Sequence, residues 1–344
     1  MWPAGSGSRF RGGKKPVPGP GELLVKVRAT TVNRTDCAMR AAKPFLWRFF
    51  TGLVRPARMP VLGTEFAGEV VAVGTGVGSY KAGDEVFGYN DGRSGAHAQF
   101  LTVRESGTLA ALPEGLTYEE AAPGTEGAHY ALSMIRGAGV RAGHDVLVYG
   151  ATGAIGSAAV QLLKHHGAWV TAVCGPHHLD LVRGLGADKV VDHTSTDFTA
   201  DERRYDAVLD AVGKSTFGRC RKLLKPRGVY VAADVGPFWQ NLLLAAAGPL
   251  LGGRRVKFPL PRHGAEMARQ LKELLESGAF RPVIDRHYPL DEITDAHRYV
   301  ETGRKVGNVV IVVPPMPRRR DQPAEGRSRA QGGDGDPPAL PTES

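Results

Sequence analysis

Asp145-Val-Leu-Val-Tyr-Gly-Ala-Thr-Gly-Ala-Ile-Gly156 is the stretch on which the fold turns. Val146, Leu147, Val148 and Tyr149 form a short apolar, β-rich run that suits a strand buried on both faces of a parallel sheet. Gly150, Gly153 and Gly156 follow at three-residue spacing, and Ser157 to Lys164 then has a helical pattern. A tight turn whose backbone must approach a ligand closely needs residues without side chains. The first amides of the helix lack partners within it, and the helix dipole is positive at that end. A pyrophosphate is the natural occupant. The common dinucleotide fingerprint is G-x-G-x-x-G, and this chain has G-x-x-G-x-x-G. The glycines carry the signal because a strand precedes them and a helix follows.

The next strand, Trp169–Cys174, bears on the choice of cofactor. An NAD site would place Asp or Glu near its end, about twenty residues past the first glycine. Here Cys174-Gly-Pro-His-His178 follows, with no carboxylate to repel a 2′-phosphate. This favours NADPH over NADH. His177 and His178 are candidate phosphate neighbours, and each reads equally well as a solvated helix start.

The chain has 344 residues, enough for two domains with real cores. Cys37, Cys174 and Cys220 are widely spaced, so no disulfide framework or C-x-x-C zinc lobe is available, and a reducing cytoplasm is expected. There is no signal-peptide pattern. Leu242–Leu251 is too short to span a bilayer and is broken by Gly248-Pro249. The net charge of +9 owes much to Arg318, Arg319, Arg320, Arg327 and Arg329 near the end. We read that run as solvated rather than as a specific nucleic-acid site.

Outward from the turn, strands and helices alternate from Asp145. Strands are expected at 169–174, 189–191, 206–211, 228–232 and 255–258, and helices at 154–166, 178–185, 215–224, 239–251 and 264–277. This predicts an α/β Rossmann-type, doubly wound parallel sheet over 120–279. Thr117-Tyr-Glu-Glu120 reads as a capping box, with helical periodicity from Gly127 to Ile135. Before it lie a long strand, Glu22–Val32, a helix start at Asp36–Arg40, and strands at 69–73, near Val86 and at 96–103, broken by glycine turns. Those suggest a compact β barrel. Aromatic residues crowd 44–58. Residues 1–19 and 316–344 lack core-forming content and are expected to be poorly ordered. A helix near 291–302 and a strand at 308–313 close the fold.

Several blocks, in order, resemble the zinc-independent, quinone-oxidoreductase-like branch of the medium-chain dehydrogenase/reductases. They include Val25-Lys-Val-Arg-Ala-Thr-Thr-Val-Asn-Arg-Thr-Asp36, Leu62-Gly-Thr-Glu-Phe-Ala-Gly-Glu-Val70, Lys81-Ala-Gly-Asp-Glu-Val-Phe-Gly88, Gly150-Ala-Thr-Gly-Ala-Ile-Gly156, Tyr205-Asp-Ala-Val-Leu-Asp-Ala-Val-Gly213 and Gly307-Asn-Val-Val-Ile311. The resemblance implies a GroES-like β-barrel catalytic domain from 20–119 and 280–315, interrupted by the nucleotide domain, with the active site between them. It also implies a β hairpin ahead of Pro16, absent here. Either the start lies upstream, or the first strands are missing and leave an open sheet edge.

Zinc-dependent relatives place Cys where Asn33 stands and His-Glu where Thr64-Glu65 stands, so no metal is expected. The resemblance places Asn33 beside the nicotinamide, where its amide N–H₂ would stabilise the oxygen of a reduced enone or quinone. Asp36 would brace the loop. Tyr89 or His97, in a pocket-lining segment, or water would supply the proton. The cofactor set is Gly150, Thr152, Gly153, Ala154, Ile155 and Gly156 at the pyrophosphate. Gly175, His177 and His193 lie toward the adenosine, and Val212 lies under the cofactor with Asp210 nearby. The expected activity is NADPH-dependent reduction of a small quinone or enone by a homodimer joined near Arg255–Phe258. An alcohol dehydrogenase and a non-catalytic nucleotide-binding protein are the alternatives.

Overall fold

The computed structural model describes residues 14–41, 61–90, 94–234, 236, 240–246, 253–258 and 262–314. The aromatic cluster at 44–58, most of the expected unordered start, the 316–344 tail and the second half of the 239–251 helix lie outside the described residues.

The first sheet is organised around β1 (Glu22–Val32), whose apolar residues are long enough in series to serve several partners. One edge pairs with β2 (Glu65–Val73). The other is shared by β4 (Phe100–Arg104) at its start and β13 (Asn308–Val312) at its end. Adding β3 (Glu85–Tyr89), β5 (Thr108–Ala111) and β12 (Ile284–Pro289) gives the order β12-β13-β1-β2-β3-β5, with β4 on β1. Leu23, Val25, Phe66, Val70, Val86 and Ile311 are among the side chains of its core. The chain thus returns after the second sheet to complete the first. Helices α1 (Arg34–Ala41) and α9 (Ile293–Glu301) belong to this lobe.

The second sheet is parallel throughout, in the order β11-β10-β9-β6-β7-β8. Its strands are β6 (Asp145–Tyr149), β7 (Trp169–Cys174), β8 (Lys189–Asp192), β9 (Tyr205–Asp210), β10 (Leu224–Ala232) and β11 (Arg255–Lys257). The winding reverses between β6 and β9, and the carboxyl ends of strands at such a point form a ligand crevice. The helices of this part are α2 (Tyr118–Ala121), α3 (Glu126–Ala138), α4 (Ala154–His165), α5 (Leu179–Gly184), α6 (Phe217–Cys220), α7 (Gln240–Ala246) and α8 (Ala265–Glu276). Buried alanines 128, 131, 158 and 159 belong to the core that α3 and α4 share with the sheet. Both sheets lie in one compact unit that runs to Pro314. No helix among the described residues is long and apolar enough to cross a membrane.

The capping box forms: Glu120 N–H donates to Thr117 Oγ1 at 3.3 Å, and Thr117 N–H donates to Glu120 Oε2 at 2.8 Å. Two expected elements differ, and one strand is unexpected. The strand expected from Ala96 begins only at Phe100, because the amides of Ala96 and His97 bond to the carbonyls of Gly63 and Leu62 instead. The helix expected over 215–224 is a single turn, α6, followed by a 3₁₀ turn; β10 starts at Leu224, paired with Tyr205. Strand β5 was not foreseen; it pairs with β3, 20 or so residues earlier in the chain, a distance at which pattern alone is mute.

Candidate active site

The turn after β6 is built by steric exclusion. Gly150 has φ +83°, and a Cβ there would lie 2.5 Å from Val212. A Cβ on Gly156 would lie 2.1 Å from the Gly150 carbonyl oxygen. Gly153 is different. It caps α4 with no side-chain hydrogen bond, at φ −73° and ψ 171°, and a Cβ there would have only the Gly150 oxygen within reach, at 3.9 Å. The space beside Gly153 is therefore open, next to the half-buried Thr152, Ala154 and Ile155. The first amides of α4 have no partners within the helix. This is an open helix N-terminus at the β6/β9 switch point, the kind of place an anion occupies.

Around it the remaining cofactor candidates take up distinct positions. Val212 is 38% exposed and packs over Gly150. Asp210 is fully buried and acts as a loop organiser, accepting from the amides of Val212, Gly213 and Ser215 and from the Tyr230 hydroxyl. At the far end, a Cβ on Gly175 would stand 3.9 Å from His193 Nε2. His193 and His177 are both exposed. Asp192 lies in register with Cys174, and its carboxylate accepts from the Thr194 and Ser195 hydroxyls.

The first lobe reaches this turn directly. Gly307 N–H donates to the Thr152 carbonyl at 2.7 Å. A Cβ on Gly127 would lie 2.7 Å from the Ala154 carbonyl, so the starts of α3 and α4 press together. At the end of β1, Asp36 is buried and accepts from the amides of Asn33 at 2.8 Å and Gly63 at 3.1 Å. It thus braces two loops.

Asn33 is 3% exposed, and its amide is turned differently from the sequence expectation. Nδ2 donates to Glu65 Oε2 at 2.6 Å and to Thr31 Oγ1 at 3.1 Å, while Oδ1 has no partner. A buried carboxylate draws the available donors. Glu65, fully buried on β2, accepts from five. Thr31 Oγ1 and Asn33 Nδ2 reach Oε2, and Thr125 N–H, Thr125 Oγ1 and Glu126 N–H reach Oε1. Glu65 therefore caps α3 from the other lobe, where the dipole favours a negative charge.

Glu126, the first residue of α3, was not singled out from the sequence. It is 5% exposed and accepts from Thr35 Oγ1, from Thr64 Oγ1 at 3.3 Å and from Asn33 Nδ2 at 3.4 Å. A charged residue inside an otherwise apolar helical run was the signal available. Burial, then the charges of Glu65 and Asp36, push its carboxyl up to about 8. Burial also pushes Asp36 up to about 7. Lys305 lies within the field of Glu126 and Glu65; burial lowers its ammonium against their pull.

Tyr89, opposite Glu65 in the β2–β3 register, lines a cavity of about 510 Å³ with Phe66, Asn90, Arg104 and His263. Its ring meets His129 edge-on at 5.6 Å and stacks on His263 at 6.4 Å. Burial keeps its phenol protonated. His97 is placed otherwise. Its Nε2–H donates to the Thr31 carbonyl at 2.7 Å, and burial lowers it to about 4, so it holds the end of β1 as a neutral ring. Cys37 faces His297, with 3.5 Å between Sγ and Nδ1.

Two family models match the chain: the alcohol dehydrogenase GroES-like domain over residues 19–116 and the zinc-binding dehydrogenase domain over 185–311. The 2-methylene-furan-3-one reductase of Solanum lycopersicum is 33% identical over 302 residues, 84% of this chain and 71% of that protein. The quinone oxidoreductase of Coxiella burnetii superposes with a TM-score of 0.77 at 26% identity, covering 88% of this chain and 93% of that one. The 2-octenoyl-CoA carboxylase reductase of a Streptomyces species, solved with NADP and 2-octenoyl-CoA, gives 0.72 at 27% identity, covering 88% and 81%. The chain belongs to the medium-chain dehydrogenase/reductase superfamily, in its quinone-oxidoreductase-like branch.

Proposed function

We propose that the protein is an NADPH-dependent reductase of quinones or α,β-unsaturated carbonyls that works without zinc. The observation carrying this reading is the open space at Gly153, framed by two glycines that admit no side chain, where the lobes meet. When bound, the dihydronicotinamide supplies hydride. The amides of Ala154 and Ile155, with Thr152, would hold the pyrophosphate. Val212 would support the cofactor, and Gly175, His177 and His193 would hold its adenosine end. NADPH is favoured over NADH because no carboxylate follows β7 and Asp192 is tied to Thr194 and Ser195.

The residues at the zinc position of relatives do not fit that ion. Asn33 offers an amide, Thr64 a hydroxyl, and Glu65 a carboxylate whose two oxygens already take five hydrogen bonds. Among the described residues no group of three His, Cys, Asp or Glu is placed to hold a metal. Tyr89, opposite Glu65 and within the field of Glu126, forms part of the wall that receives the acceptor. The outer edge of β11 is the place for a homodimer contact, and three buried free thiols suit a reducing cytoplasm.

The test is a panel of quinones, enones and alcohols assayed with NADPH and NADH. Oxidation of NADPH by quinones or enones, several-fold faster than of NADH, is expected. Turnover of alcohols alone, or none with any acceptor, would overturn the reading.

A further inference from the structure

The reductase reading gives Glu126 no task, and Asn33, the donor expected from the sequence, has both amide hydrogens turned toward Glu65 and Thr31. We propose, resting on that reading, that Glu126 is the acid that protonates the reduced substrate at carbon. Its place supports this. It adjoins Gly127, which packs on the Ala154 carbonyl at the start of α4, and its carboxyl reaches across to Thr35, Thr64 and Asn33 of the other lobe.

The hydrogen bonding says which carboxyl keeps a proton. Three buried carboxyls, Asp36, Glu65 and Glu126, face one another, with Arg34 from α1 and Lys305 before β13 as nearby cations. Tyr89 on β3 also lies in the field of Glu126. Three buried negative charges so close cannot all persist. Two backbone amides steady Asp36 and five donors steady Glu65. Besides the Thr35 hydroxyl, Glu126 has only long contacts, at 3.3 and 3.4 Å. Glu126 therefore keeps its proton to higher pH than Asp36, and its affinity of about 8 suits an acid working near neutrality.

In the step, the β-carbon of the enone gains hydride and the π pair becomes an enolate. The O–H bond of Glu126 breaks, a C–H bond forms at the α-carbon, and Glu126 is left as carboxylate. Water restores its proton through the half-buried Thr35 hydroxyl.

The experiment compares the wild type with Glu126→Gln and Thr35→Val, using an enone and a quinone with NADPH. Glu126→Gln should bind NADPH normally and lose about 100-fold in kcat on the enone. It should lose far less on the quinone, whose product oxygen takes a proton from water. Wild-type kcat should fall above about pH 8, and this limb should vanish in the variant. Thr35→Val should enlarge the solvent deuterium effect. Independently of turnover, the wild type at pH 7 should show infrared carboxylic-acid carbonyl intensity that Glu126→Gln reduces, leaving only the share of Asp36. Equal enone turnover by Glu126→Gln, an unchanged basic limb or an unchanged infrared band would overturn the proposal. If the wild type reduces no acceptor, the reductase reading and the donor role both fall, and a persisting band would show that only the buried acid was correctly assigned.

Discussion

The glycine turn after β6 and the carboxylate cluster at the end of β1 touch through Gly127 and Gly307, yet they are specified in opposite ways. The turn is a backbone device. Its shape follows from where side chains are missing, and its contacts lie within a short stretch. The cluster is a side-chain device whose members come from β1, α1, β2, the start of α3 and the segment before β13. The first kind of site tolerates no added atom at two positions. The second kind tolerates no lost partner, because each buried oxygen depends on donors far away in sequence.

The sharpest break in that comparison is Gly156→Ala. A methyl 2.1 Å from a carbonyl oxygen has no flexible neighbour to move, so we expect a loss of at least about 3 kcal/mol and little folded protein by thermal melt. Glu65→Ala tests the other site. It strands five donors at the join of the lobes and should lower stability by about 3 kcal/mol, whereas Glu65→Gln should recover part of this, both read from denaturant midpoints.

A pH series sharpens it further. Asp36 and Glu126 bind protons up to about 7 and 8 in the folded state, while unfolded carboxyls release theirs near 4. Their contribution is complete below the unfolded value and is lost as pH rises through 7 to 8. His97 and His129, lowered to about 4, act in the opposite sense below 6.5 and drop out above it. The melting temperature should thus fall between pH 6.5 and 8.5, and less steeply in Glu126→Gln. The smallest effect should come from His177→Ala, a few-fold loss in preference for NADPH over NADH, by paired titrations.

The same contrast explains how much was legible in the sequence. Strand, turn and first helix all lie between Asp145 and His165, so local pattern sufficed. That the second sheet is parallel followed from alternation. Glu126 was passed over because its partners, Asn33, Thr64 and Glu65, lie 61 to 93 residues earlier. The orientation of the Asn33 amide was beyond reach for the same reason: it is set by a carboxylate on another strand. His97 looked available as an acid because the family resemblance put it in a pocket-lining segment, and only the fold shows its Nε2–H committed to Thr31.

NADPH titration of the wild type and of Gly153→Asp, followed calorimetrically alongside a thermal melt, tests the glycine turn most directly. Gly153 already has backbone angles an N-cap Asp adopts, and the space beside it is open. An equal or higher melting temperature with NADPH binding abolished is expected. Undiminished binding by the folded Gly153→Asp protein would contradict it.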